Sequence, residues 1–183
     1  MPVLETPRLI LWPWRDGDLD AFEDINADPR VLTYLPGALT RLQTTEWIER
    51  IQVHFAAHGF GLWAVEVRGG APCIGYVGLT RTTFAAPFTP AVEIGWRLAA
   101  AHWNRGYATE GARAAVAFGF ASAGLREIVS FTVPENLASR RVMEKLGMTH
   151  DPADDFDHPK LPEGHRLRRH VLYRLANPAT TSA

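Results

Sequence analysis

Glu93-Ile94-Gly95-Trp96-Arg97-Leu98, a short linker, and Trp103-Asn104-Arg105-Gly106-Tyr107-Ala108-Thr109-Glu110-Gly111 decide how this chain reads. The first run is a strand, and the second is a loop that opens a helix. A helix N-terminus leaves four backbone N–H groups without intrahelical partners and carries partial positive charge. Gly106 and Ala108 are small enough to let a ligand approach the backbone. Arg105 places a cation at the same point, so the loop suits a pyrophosphate. A plain turn glycine before a helix is the competing reading of Gly106. No G-x-x-x-x-G-K-[ST] and no G-x-G-x-x-G occurs anywhere in the chain, which excludes the two commonest phosphate loops.

Outward from this segment, periodicity and turn residues predict the remaining elements. Leu9 to Trp14 reads as a strand that Pro13 ends. Asp16 caps a helix carrying Leu19, Phe22, Ile25 and Ala27 at helical spacing, and Asp28-Pro29 stops it. A second helix spans about Thr44 to His58, with Thr44 as cap and Gly59 as stop. Leu62–Val67, Cys73–Thr80 and Ala91–Leu98 are strands. Tyr107–Ala123 is an Ala-rich helix, Ile128–Val133 a strand, Asn136–Leu146 a short helix, and Arg169–Leu175 a last strand. Residues 151–168, rich in Pro, Asp and His, read as a solvated loop. The order β-α-α-β-β-β-α-β-α-β is neither regular βαβ alternation nor all-β. It predicts an α+β fold with a mixed, mostly antiparallel sheet. One domain over residues 1–176 and a flexible tail over 177–183 are expected.

Composition bounds the function. The 183 residues are 46% apolar and 21% charged, and the net charge is −1. Such a balance gives no electrostatic footprint for nucleic acid or an anionic membrane. Cys73 is the only cysteine, so no intrachain disulfide and no cysteine-based metal cluster can form. No signal peptide and no apolar run near the ~18 residues of a membrane span is present. These readings predict a cytoplasmic protein that works without a metal, and they leave a homodimer open.

EIGWRL followed by WNRGYATEG resembles the acetyl-coenzyme A signature of the GNAT N-acetyltransferases. Asn136-Leu137-Ala138-Ser139-Arg140-Arg141-Val142-Met143-Glu144-Lys145-Leu146-Gly147-Met148 resembles that superfamily's N-x-x-S-x-x-V-x-E-K-L-G-[MF] helix. The opening LETPRLILWPW and the ending RRHVLYRL are similar to the RimJ/RimL branch, the ribosomal-protein N-terminal acetyltransferase-like proteins. The resemblance runs from about Leu4 to Leu175. It implies a twisted sheet of about seven strands flanked by about four helices. Two parallel strands, about 91–98 and 128–133, splay to admit acetyl-coenzyme A. Pantetheine would pair with the main chain around Trp96 and Leu98. The pyrophosphate would rest on the amides from Asn104 to Thr109, a stretch that includes Arg105, Gly106, Tyr107 and Ala108. Trp103 occupies the position where the family usually has Gln or Arg, which leaves Arg105 or Arg140 for any charge contact.

The implied reaction is direct attack of a primary amine, from a protein N-terminus or a small molecule, on the acetyl thioester. Glu93 is the candidate base, because burial beside the acetyl site would raise its pKa toward neutrality. An ordinary exposed strand residue is the alternative, and strand alternation alone does not decide which face meets the substrate. Ser139 is the candidate proton donor to sulfur, since the Tyr that many relatives carry on this helix is missing between Asn136 and Leu146. A hydroxyl bonded to the helix backbone is the competing reading. Asn136 reads as helix N-cap or as a ligand for the pantetheine amide. The carbonyl oxygen's donor would be a main-chain N–H near Gly95–Trp96. His158, His165 and His170 match no zinc spacing, although one of them is a second candidate base. Trp12, Trp14, Tyr34 and Trp47 read first as core, with an amine-pocket lining as the minority role. A non-catalytic acyl-coenzyme A sensor is the alternative function. It would show a degraded loop or lack an acid and a base, and neither holds here.

Overall fold

The structure, a computed structural model, describes residues 1–180. Its strands are β1 (Leu4–Glu5), β2 (Leu9–Trp12), β3 (Leu62–Val67), β4 (Gly75–Arg81), β5 (Val92–Leu98), β6 (Glu127–Thr132), β7 (Thr149–His150), β8 (Phe156–Asp157) and β9 (Arg169–Ala176). The helices are α1 (Leu19–Ala27), α2 (Pro29–Leu32), α3 (Arg41–His58), α4 (Tyr107–Ala121) and α5 (Leu137–Lys145). The sheet runs β1-β2-β3-β4-β5-β6-β9-β7, with β8 on β9. Every pairing is antiparallel except β5 with β6. Three strands of two residues each and the one-turn α2 lift the counts above the seven strands and four helices expected. Elements that short carry no periodicity to read.

Alternation along β5 sorts its side chains. Val92, Ile94 and Leu98 are buried on one face, together with Val77 and Leu79 of β4. α4 covers this face. Its Gly111 sits so close that a Cβ there would lie 3.3 Å from Val77 Cγ2, and a Cβ on Gly119 would lie 2.9 Å from Leu79 Cδ1. Small residues therefore let helix and sheet approach, and each fully buried Leu or Ile contributes about 1.5–3 kcal/mol. The other face presents Glu93, Gly95 and Arg97, paired across to Thr80, Gly78 and Tyr76. There Phe22 of α1 and Trp47 of α3 pack on Tyr76, with centroids 5.9 and 5.0 Å away.

Three expectations need correction. α3 begins at Arg41 and is capped by Thr40, whose hydroxyl accepts the Gln43 N–H while the Gln43 side chain accepts the Thr40 N–H. Thr40 wins over Thr44 because only Thr40 has Gln three residues on to close the capping box. Thr44 is buried instead and receives Asn26 Nδ2. The 151–168 stretch is not merely solvated loop. It contains β8, and Phe156 is buried with Val129 and Leu172 in a second small core that also gathers Phe84, Phe88 and Phe131. Asn177 is buried and donates to the Leu125 carbonyl, and Pro178–Thr180 form a 3₁₀ turn, so the expected flexible tail does not begin at 177. Residues 181–183 lie outside the described residues.

Candidate active site

β5 and β6 share one bridge, Glu93 with Val129. One residue further, the Ser130 hydroxyl donates to the Ile94 carbonyl at 2.9 Å, where a backbone N–H would continue the ladder. Beyond that point the strands part, as two parallel strands do once their ladder stops. Leu79 N–H donates to Gly61 and Ala99 N–H to Ile74, which sets the pairing phase: odd residues of β5 address β4 and even ones address the gap. The N–H and C=O of Trp96 therefore face the opening. Leu98 faces it too, but its carbonyl accepts the Trp103 indole N–H at 2.7 Å.

The N-terminus of α4 closes one end of the gap. Gly106 caps it at φ 80° and Asn104 stands at φ 58°, both in the left-handed region. This pair of turns exposes the loop amides, the arrangement in which backbone N–H groups gather an anion. Trp103, Asn104, Arg105 and Gly106 are exposed, Tyr107 and Ala108 half-buried, and Thr109 buried. A carboxylate inside the helix holds the loop from behind. Glu110 accepts Thr6 Oγ1 at 2.7 Å, the Arg8 N–H at 2.9 Å and Arg8 Nε at 2.6 Å. Arg8 Nη1 in turn donates to the Arg105 carbonyl at 2.9 Å, and the guanidinium lies 4.8 Å over the Tyr107 ring. Burial raises the pKa of Glu110, but Thr6 and Arg8 outweigh it and hold the carboxyl below its usual range.

On the opposite face, Glu93 is half-buried, and its carboxyl has no hydrogen-bond or ion-pair partner among the described residues. Burial alone pushes its pKa up to about 8. Over Gly95 the sheet is bare, and a Cβ there would meet only Glu93 Oε1, at 3.7 Å. Tyr76 follows along the same face. Burial raises its hydroxyl pKa against the pull of the neighbouring Arg97 guanidinium. One wall above this row is the 33–40 segment with Trp47, enclosing about 340 Å³ beside Arg97. The other wall is the phenyl cluster, where the His158 and His170 rings lie tilted with centroids 5.1 Å apart and His170 lies 5.9 Å from Phe131. Burial lowers the pKa of both histidines and so favours their neutral forms.

α5 stands at the far end of β6. Asn136 caps it, accepting the Ser139 N–H at 3.2 Å and donating to Thr132 Oγ1 at 3.0 Å. Ser139 is half-buried in the first turn. Arg140 donates to the Tyr173 hydroxyl at 3.2 Å and to the Pro134 carbonyl at 3.0 Å, which fix its guanidinium beside α5. Arg8, Tyr76, Arg97 and Ser130 escaped the sequence reading. Arg8 and Arg97 lie inside stretches that reading singled out, but only the tertiary structure turns them toward the loop and the cleft. Cys73 is buried, its thiol pushed up to about 11 by burial, and it stands as core.

With this geometry in hand, the likenesses to known proteins fall into place. Residues 8–149 match the family model for the acetyltransferase (GNAT) domain. The chain is 31% identical over 197 residues to FsC-acetyl coenzyme A-N(2)-transacetylase of Aspergillus fumigatus, covering 98% of this chain and 82% of that one. An acetyltransferase crystal structure from Agrobacterium tumefaciens superposes with TM-score 0.76 at 30% identity, over 96% of this chain and 94% of the other. RimL, the ribosomal L7/L12 α-N-protein acetyltransferase solved with coenzyme A, shares the fold at TM-score 0.77 and 13% identity, over 96% and 98% of the two chains. The chain belongs to the GNAT acetyltransferase family, whose members use acetyl-coenzyme A. Among the described residues no helix is long and apolar enough to cross a membrane.

Proposed function

We propose that this chain is an N-acetyltransferase that carries an acetyl group from acetyl-coenzyme A to a primary amine by direct attack, with Glu93 as general base. The observation that carries this reading is a half-buried carboxyl beside bare backbone, at the level where β5 and β6 part. The residues fit the co-substrate. The left-handed Asn104 and Gly106 open the α4 amides to a pyrophosphate, and the Trp96 main chain faces the gap as a pairing edge for pantetheine. When bound, acetyl-coenzyme A supplies a thioester whose carbonyl accepts the amine and whose sulfur leaves.

Glu93 takes the proton from the incoming ammonium, since only the free amine attacks. The Trp96 N–H, held toward the gap, is positioned to donate to a carbonyl oxygen that gains negative charge. Ser139, in the first turn of α5, is the proton donor to the departing thiolate. Asn136 orients that turn through its cap. The domain takes in residues 1–176 and the packed Asn177 that follows them, and the acceptor enters from the face of Glu93, between the 33–40 segment and the phenyl cluster. A panel of peptide and small-molecule amines, assayed for free coenzyme A against an acceptor-free blank, tests the reading. Acceptor-dependent release supports it. Binding of acetyl-coenzyme A with no release for any amine favours the non-catalytic sensor.

A further inference from the structure

Arg97 is a cation without a carboxylate. It takes part in none of the ion pairs among the described residues. Its Nη1 donates to Asn26 Oδ1, a neutral acceptor, and Asn26 is fully buried and tied to Thr44. Its Nε is buried with no acceptor. The guanidinium lies 5.6 Å from the Tyr76 ring centroid and 5.9 Å from that of Phe22. A charge drawn partly out of water and held only by neutral groups, the Asn26 amide and the Tyr76 hydroxyl, is not neutralised and still attracts an anion. Arg97 lines the cleft of about 340 Å³ whose other walls are Leu35, Gly37, Leu39 and Trp47. Along β5 it stands two residues beyond Gly95 on the same face, roughly 6.6 Å at 3.3 Å per residue. That is within one small molecule's length of the place where the amine would react.

We infer that the acceptor amine carries an oxyanion, a carboxylate or a phosphate, and that Arg97 receives this group in the cleft beside Trp47. The inference rests on the transferase reading of the Glu93 face and narrows its substrate class. A planar guanidinium already oriented by Asn26 through Nη1, with Nε buried, leaves its Nη2 end for a ligand, and a planar donor head suits the oxygens of one anion. The side chains around it are apolar apart from the Trp47 indole N–H, so Arg97 is the one charged group among the residues that line this cleft.

The test compares matched acceptors: each common amino acid with its amide and its decarboxylated amine, and phosphoethanolamine with ethanolamine. Wild type, Arg97→Met and Arg97→Lys are assayed, and acetyl-coenzyme A affinity is measured separately for all three. For wild type the anionic member of a reactive pair should exceed its neutral partner by about 10- to 100-fold in kcat/KM, mainly through KM, the range of a charge-assisted hydrogen bond. Arg97→Met should erase that preference and leave acetyl-coenzyme A affinity unchanged. Arg97→Lys should keep part of the preference, since charge remains while the planar donor head is lost. A carboxylate source and a phosphate source separate by which pair shows the effect. Equal rates within pairs, a preference for neutral or cationic amines, a preference that survives in Arg97→Met, or no turnover of any anionic amine by a wild type that binds acetyl-coenzyme A overturns the inference. If Arg97→Met does not fold, the wild-type comparison and Arg97→Lys decide alone. Failure of wild type to bind acetyl-coenzyme A strikes the transferase reading instead.

Discussion

Glu93 keeps its proton to about pH 8 because the fold surrounds the carboxyl without offering it a donor. Two consequences can be measured. Glu93→Gln should lower kcat by ~10²–10⁴, the usual contribution of a positioned base. The deficit should hold steady below about pH 8, where Glu93 and the substrate amine lose protons in parallel. Above pH 8 it should shrink, as a Lys-like amine of pKa ~10 deprotonates unaided. A pH–rate profile with no change of slope near 8 in wild type would show that Glu93 is not the base. Stability follows with its own sign. The folded pKa lies above the ordinary 4.5, so stability is full below 4.5 and falls as pH rises toward 8. Glu93→Gln should therefore gain in Tm over wild type across that window and level off above it. Ser139 separates from Glu93 by the same experiment. Ser139→Ala should slow thiolate departure at every pH, with no recovery as the amine deprotonates.

The α4 N-terminus is held by a loop with two left-handed residues and by a carboxylate that ties the turn between β1 and β2 to it. Gly106→Val places a β-branched side chain at φ 80°, a conformation such residues avoid, and its Cβ would come within 3.4 Å of Arg8 Nη2. Acetyl-coenzyme A affinity should fall at least tenfold while far-UV circular dichroism stays unchanged. Glu110→Gln tests the clamp from inside the helix. It keeps the side-chain length and loses the charge-assisted bonds to Arg8, each about 1.5–3 kcal/mol before solvent discounts the exposed half. Calorimetric titration should show weaker acetyl-coenzyme A binding in Glu110→Gln, and Arg8→Gln should reproduce the loss. Binding equal to wild type in both variants would mean the loop keeps its shape without the clamp.

At the scale of the whole molecule, a ligand that wedges between β5 and β6 would join the two halves of the sheet. Acetyl-coenzyme A at a hundredfold excess over its Kd should stabilise the fold by about 2.7 kcal/mol, or roughly 5–11 °C in Tm for a chain of this size. ATP and NAD should shift the melting curve far less, and a scanning-fluorimetry comparison checks this. Much of this molecule was written in local sequence. EIGWRL and the WNRGYATEG loop specified a strand, a turn and a helix start, because periodicity and glycine punctuation act over a few residues. Asn136 was legible as a cap for the same reason. β7 and β8, two residues each, were not, because they exist only by pairing with β9. Nor could the sequence choose the face of β5. Alternation separates Glu93 from Ile94, but only the packing of α4 against Val77 and Leu79 assigns Ile94 to the core and Glu93 to the cleft. The Arg8–Glu110 clamp and the lone charge of Arg97 were equally hidden. Each depends on partners 71 to 102 residues away in the chain, and contacts at that separation are set by the assembled sheet and its helices.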